Sequence, residues 1–164
     1  MAGTGVPRVL VAGIGNVFAT DDGFGCEVAR RLAGSVLPGG VRVVDYGIRG
    51  MHLAYDLLES WDTLVLVDAV PDRGSPGAVE LIEIGPEHVG RGAAVDAHGM
   101  DPATALATLA ALGGRLPPRT LLVGCQVSET GEGMRLTTPV EAAVDVAVRA
   151  VHDVVTDHSP AEVR

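Results

Sequence analysis

The stretch VAGIGNVFATDDGFG, Val11 to Gly25, restricts the fold of this chain more than any other. It follows an apolar run that reads as a strand and precedes a helical pattern, and it holds four glycines, one asparagine and two adjacent aspartates. Glycine lacks a Cβ and accepts positive φ, so backbone here can approach backbone or ligand closely. Two neighbouring carboxylates repel each other and favour a cation or open water over burial. A tight strand-to-helix turn that ends in acid is the feature to be explained, because a phosphate-binding loop would carry no such acids.

The rest of the chain alternates strand and helix patterns around that turn. Residues 8–13 form a nearly continuous apolar run, as expected of a strand covered on both faces. Phe24, Val28, Ala29, Leu32 and Val36 recur at helical spacing and predict a helix over 23–35, with Asp22 or Gly23 as its N-cap. A second strand is expected at 41–45, a loop at 46–50 and a short helix at 51–59. Residues 63–70 are the most apolar run, expected at the centre of the sheet. The seven turn-prone residues 71–77 are too few for a parallel crossover, which needs about a dozen. The strand over 78–84 therefore runs antiparallel, near an edge, with Glu80 and Glu83 facing water.

Residues 85–100 read as a long functional loop, followed by a helix with Asp101 as N-cap and Pro102 at its first position, stopped by Gly113-Gly114. A strand at 120–127, a polar loop at 128–137 and a helix at 138–154 complete the chain. The order β-α-β-α-β-β-α-β-α predicts an α/β protein: a three-layer α/β/α sandwich on a mostly parallel sheet. One domain is expected over 1–155, with a frayed tail at 156–164.

Charge and composition narrow the partners. The 164 residues carry a net charge of −9 and only 3% aromatics, which argues against nucleic acid. No apolar run is long enough to span a bilayer, and residues 1–7 lack the pattern of a signal peptide. Cys26 and Cys125 are far apart and suggest neither a disulfide framework nor a zinc knuckle, so a reducing, cytoplasmic setting is expected.

Mostly parallel sheets bind ligands at the carboxyl ends of their strands. That rule selects 13–22, Asp45, Asp68 and 126–129. Dinucleotide binding is suggested by Gly13-x-Gly15 with Asp45 ending the second strand, but Phe18 stands where the third glycine belongs. Nucleophilic catalysis lacks a Gly-x-Ser-x-Gly elbow, and both cysteines read as small buried apolar residues. The third candidate is a metal site of Asp22, Asp68 and His98. Two carboxylates and an imidazole suit a divalent first-row ion and leave positions open for water or substrate.

Blander roles stand beside these. Asp22 serves equally as a helix cap. Asp68 is harder to explain away, because a carboxylate ending an apolar central strand is costly unless paired or coordinating. His98 alone reads as an exposed loop histidine. Asp21 is expected either in solvent or holding the loop through backbone N–H groups, and Asn16 is expected to brace the loop. His52, His88, His152 and His158 fall at surface positions without a partner in view.

Taken in order, these motifs resemble those of the hydrogenase maturation proteases, the endopeptidases that trim the large subunit of nickel–iron hydrogenases. The resemblance is carried by Gly13-Ile14-Gly15-Asn16 with Asp21-Asp22-Gly23-Phe24-Gly25, by Asp45-x-Gly47-x-x-Gly50-Met51, by Val67-Asp68-Ala69 and by His98. Leu121-Leu122-Val123-Gly124 and Leu136-Thr137-x-Pro139-Val140-Glu141 extend it over nearly the whole chain.

The resemblance implies a five-stranded sheet of order 2-1-3-5-4 with strand 4 antiparallel. It implies that Asp22, Asp68 and His98 are both the metal-contacting and the catalytic trio, with Gly13, Gly15, Asn16, Asp45 and Gly50 shaping the loops or touching substrate. The implied substrate is a large-subunit precursor that brings its own nickel and loses a short C-terminal extension to a monomeric protease. Another divalent ion can substitute for nickel in the isolated protein. A rival of a different class is a non-enzymatic module that binds or senses a divalent cation through the same trio.

Overall fold

Strand β1 (Val9–Ile14) is buried at every residue, as a run covered on both faces must be. It pairs in parallel with β2 (Val41–Gly47) on one side and with β3 (Thr63–Val70) on the other. β3 pairs in parallel with β5 (Arg119–Gln126), and β4 (Val79–Glu83) closes the edge antiparallel to β5. The sheet order is therefore β2-β1-β3-β5-β4, as the resemblance implied. The computed structural model describes residues 5–88 and 102–157. The Asp101 cap, most of the 85–100 loop and most of the tail lie outside the described residues.

Successive strand residues point to opposite faces, and this alternation builds two cores. Val9 and Val11 of β1 join Val65 and Val67 of β3 under helices α1 (Phe24–Ala33) and α4 (Thr138–Thr156). Leu10 and Ala12 join Leu64 and Leu66 on the other face, under α2 (Gly50–Asp56) and α3 (Pro102–Ala111). Each helix offers the stripe that its layer needs. In α4 the buried residues Val140, Val144, Ala147, Val151 and Val154 recur every three or four positions. Each fully buried side chain of this kind contributes roughly 1.5–3 kcal/mol.

Two surface expectations are corrected. Glu80 does not simply face water: it accepts hydrogen bonds from the Arg73 guanidinium and, at 3.0 Å, from the Gln126 side-chain amide. The reason is the short β3–β4 connection, which folds over the end of β5. Gln126 Oε1 accepts the backbone N–H groups of Arg73 at 2.8 Å and Ser75 at 3.1 Å, and its amide is left to reach Glu80. His152 also has a partner, with Nε2 lying 3.3 Å from Ser35 Oγ.

The carboxyl edge of the sheet is drawn tight by close backbone approach. A Cβ on Gly25 would lie 2.2 Å from the Val67 carbonyl oxygen and 2.4 Å from that of Ile14. A Cβ on Gly13 would lie 2.4 Å from Gly25 O. The first turn of α1 thus rests directly on the ends of β1 and β3, a fit open only to glycine. Gly25→Ala is expected to cost about 3 kcal/mol through overpacking against backbone. Gly39→Ala, where an added Cβ meets nothing within 4 Å, is expected to be near neutral. Urea-unfolding midpoints of the two variants measure the contrast.

Candidate active site

The turn after β1 is fixed residue by residue. Gly15 has φ +146, and a Cβ there would lie 1.9 Å from the Asp22 carbonyl oxygen. Asn16 Oδ1 accepts the Phe18 N–H at 2.9 Å, the local bracing expected of an asparagine in a turn. The Asn16 N–H in turn donates to Asp22 Oδ2 at 2.9 Å. The Asp22 carboxylate therefore folds back over the loop. It does not cap α1, whose N-cap is Gly23 with no side-chain bond.

Asp21 has the opposite environment from its neighbour. Its exposure is 0%, so of the two expected roles it is not solvated but binds backbone N–H groups. Four groups from the β5–α4 loop donate to it. The Ser128 and Glu129 N–H groups reach Oδ2 at 2.8 and 2.9 Å, and the Thr137 N–H reaches Oδ1 at 2.7 Å. The Thr137 hydroxyl donates to Oδ2 at 2.8 Å, so Thr137 serves Asp21 and leaves α4 without a side-chain cap. The Asp21 N–H completes the link by donating to Glu129 O at 3.0 Å. Burial pushes the Asp21 carboxyl up, but the bonds from Glu129, Thr137 and Ser128 outweigh it and hold the group below its ordinary value.

Thr20 lies beside this link with φ +52, a left-handed conformation that a β-branched residue rarely adopts. It is held there by its N–H to Gly133 O at 2.8 Å and its hydroxyl to Gly131 O at 2.5 Å. Such strain persists only where the surroundings over-determine it, and it concentrates at functional sites.

The neighbouring strands bring further acids to the same edge. Asp45 lies opposite Gly13 in the β1–β2 register, and Asp68 is one residue beyond Val67, which also pairs with Gly13. Asp45 is exposed. Its backbone is held by Arg49, whose Nη2 donates to Asp45 O at 2.7 Å. Asp68 is 8% exposed, and its Oδ1 accepts the Ala69 N–H at 2.8 Å. Gly50 opens α2 immediately after this loop.

Cys26 reports how close these acids are. Its buried thiol lies 3.5 Å from Gly15 O. Burial foremost, then a hydrogen bond and the charge of Asp45, then the charges of Asp68 and Asp22, all push its pKa far up. The thiol therefore stays protonated and is no nucleophile. Cys125 is likewise buried and pushed up to about 11.

Asp22, Asp45 and Asp68 are thus brought together, on a loop shaped by Gly13, Gly15 and Asn16. His98 lies outside the described residues. Among the described residues, no three His, Cys, Asp or Glu side chains are grouped closely enough to hold a metal ion. The arrangement can attract a cation and orient carboxylates toward it. The sequence reading offered Asp21 as a holder of backbone N–H groups but not the β5–α4 loop as their source, and it read Cys26 as a small buried apolar residue without linking it to the acids. Asp21 and Thr137 are 116 residues apart, and no spacing rule connects them.

The comparisons with known proteins agree with one another. The family model for hydrogenase maturation proteases matches residues 26–154. The hydrogenase expression/formation protein HupD of Rhodobacter capsulatus is 35% identical over 144 residues, covering 86% of this chain and 68% of that protein. The solved hydrogenase maturating endopeptidase HybD from E. coli superposes with a TM-score of 0.73 at 28% identity, covering 88% of this chain and 89% of that one. A hydrogenase 2 maturation peptidase from a Thaumarchaeota archaeon gives 0.70 at 31% identity, covering 91% and 98%.

The lowered pKa of Asp21 has a pH signature. A group whose folded pKa lies below its unfolded value contributes its full stability above the unfolded value, and that contribution is lost as pH falls through the folded one. The ordinary value is 3.8, so the loss occurs in acid below it. Asp21→Asn is expected to cost about 3 kcal/mol at neutral pH, because the amide cannot accept from all four donors. The variant is also expected to show a flatter acid limb. Unfolding free energy measured against pH for both proteins checks both points.

Proposed function

The chain belongs to the hydrogenase maturation protease family, and we propose that it removes the C-terminal extension of a hydrogenase large-subunit precursor whose nickel is already in place. The observation that supports this reading is that Asp45 and Asp68 lie near the ends of the strands on either side of β1 at the carboxyl edge, where the β1 turn carries Asp22. Mutually repelling carboxylates create a demand for a cation. Hard oxygen donors grip a first-row ion only moderately, which suits a metal that arrives on the substrate.

On this reading Asp22, Asp68 and His98 contact the nickel, and the ion is part of what is recognised. Asp22 is oriented by the Asn16 N–H and Asp68 by the Ala69 N–H, so both carboxylates meet the incoming ion with little reorganisation. Nickel brought by the precursor would be held by Asp22, Asp68 and His98, where it would anchor the scissile region and could supply Lewis acidity toward its carbonyl. A carboxylate at the edge takes the proton of the attacking water. The protein works as a monomer in the cytoplasm. Among the described residues no helix is long and apolar enough to cross a membrane.

The test uses a purified large-subunit precursor prepared with and without nickel. A mobility shift on cleavage is expected only with the nickel-loaded form. Asp68→Asn and His98→Ala are each expected to lower the cleavage rate by about a hundredfold or more. Equal cleavage of the nickel-free precursor would sink the metal-recognition part. Absence of cleavage, together with tight divalent-ion binding by the protein alone, would favour a cation-binding module.

A further inference from the structure

Among the described residues, Thr20 alone combines a side chain with a positive φ, at +52. In that region Cβ crowds the following carbonyl oxygen, and a β-branched residue has few rotamers with which to escape. A glycine would carry no such strain. The chain has a threonine instead, and it is tied at both of its donors. Its N–H donates to Gly133 O at 2.8 Å and its hydroxyl to Gly131 O at 2.5 Å. Ala19 forms a parallel bridge with Gly133, and the Gly133 N–H donates to Phe18 O at 3.0 Å. A Cβ on Gly133 would lie 2.9 Å from Thr20 Oγ1, so the hydroxyl fills the space that a side chain there would need.

The reversal at Thr20 decides where the next two carboxylates go. Residues 16–22 form a closed turn, in which the Ala19 N–H donates to Asn16 O and the Asp22 N–H to Ala19 O, each at 3.1 Å. The Asn16 N–H closes the ring on Asp22 Oδ2 at 2.9 Å. Thr20 lies between the partners of the Ala19–Asp22 bond, so its dihedrals set the directions of residues 21 and 22. Asp21 enters the β5–α4 loop, while Asp22 folds back over its own turn. Asp21 engages Ser128, Glu129 and Thr137; the Thr20 hydroxyl reaches the stretch between them, at Gly131.

Resting on the protease reading, we propose that Thr20 is a positioning residue for Asp22: its hydroxyl, anchored on Gly131, holds the strained reversal that aims the Asp22 carboxylate. Strain and tie act together. A left-handed threonine fastened at its N–H and its hydroxyl has one arrangement open to it in this turn. Glycine would reach the same reversal but several others as well. The position therefore gives up backbone stability for a single orientation of Asp22. Asp22 contacts the substrate's ion on this reading, so a loosely held carboxylate weakens recognition rather than folding.

Steady-state cleavage of the nickel-loaded precursor and amide hydrogen exchange of the free protein test this together. Thr20→Gly removes strain and hydroxyl at once, and is expected to melt within about 4 °C of wild type because the two losses offset. Its KM is expected to rise about fivefold or more. The Asn16 amide proton, whose acceptor is the Asp22 carboxylate, is expected to exchange about tenfold faster or more. Thr20→Ser keeps the hydroxyl and is expected to restore wild-type KM and exchange. Thr20→Ala takes the place of the glycine variant if that variant does not fold. Loss of folded protein lowers only the maximal rate, so wild-type KM in folded Thr20→Gly overturns the proposal and leaves the protease reading intact. An Asn16 amide that exchanges as slowly in Thr20→Gly as in wild type also overturns it. Where wild type leaves the precursor uncut, the protease reading fails and exchange alone decides. Tenfold faster exchange at Asn16 then supports the positioning of Asp22 by Thr20, and unchanged exchange overturns it.

Discussion

The burial of the Asp21 carboxylate is the interaction on which the site depends. An ionised group removed from water is costly unless its oxygens are fully engaged. Asp21 meets that condition by taking charge-assisted bonds from both ends of the β5–α4 loop, and from no residue of its own turn. The two loops are thereby fixed as one unit. Thr20 is held in its left-handed conformation by the same unit, and Asp22, the next residue along, inherits a defined position. Two adjacent aspartates thus divide the labour: one is consumed by the link between loops, while the other accepts the Asn16 N–H within its own turn.

The remaining constraints are steric. Gly13 and Gly25 let α1 lie against the strand ends, and Gly15 lets the turn close on the Asp22 backbone. These approaches set the depth of the carboxyl edge and bring the β1 turn level with Asp45 and Asp68. The sheet supplies the frame, but atom-to-atom contact at these glycines sets the spacing of the acids.

How much of this the sequence made legible depended on whether the cause was local. β1 and β3 stood out because strands covered on both faces must be apolar throughout. The antiparallel course of β4 followed from a connection too short to cross the sheet. Asp68 stood out because a carboxylate ending such a strand demands a reason. Asp22 as a cap was a sound local reading that failed, because the Asn16 N–H claimed its oxygen first. Glu80 was assigned to water because Gln126, 46 residues away, carries no mark of its reach. For Asp21 the kind of partner was among the expectations, but not its location, since backbone N–H groups look identical in every sequence and these lie more than a hundred residues away. His98 rested on the resemblance and its loop context, and lies outside the described residues.

Cys26 sets a limit on how firmly this edge can grip. A protonated thiol is a poor ligand, and burial above all, with the neighbouring acids adding to it, pushes the Cys26 thiol pKa up. Sulfur would bind a late first-row metal hard and hold it; the carboxylates around it release more readily. The edge therefore presents carboxylate oxygen, with the Cys26 sulfur buried and protonated.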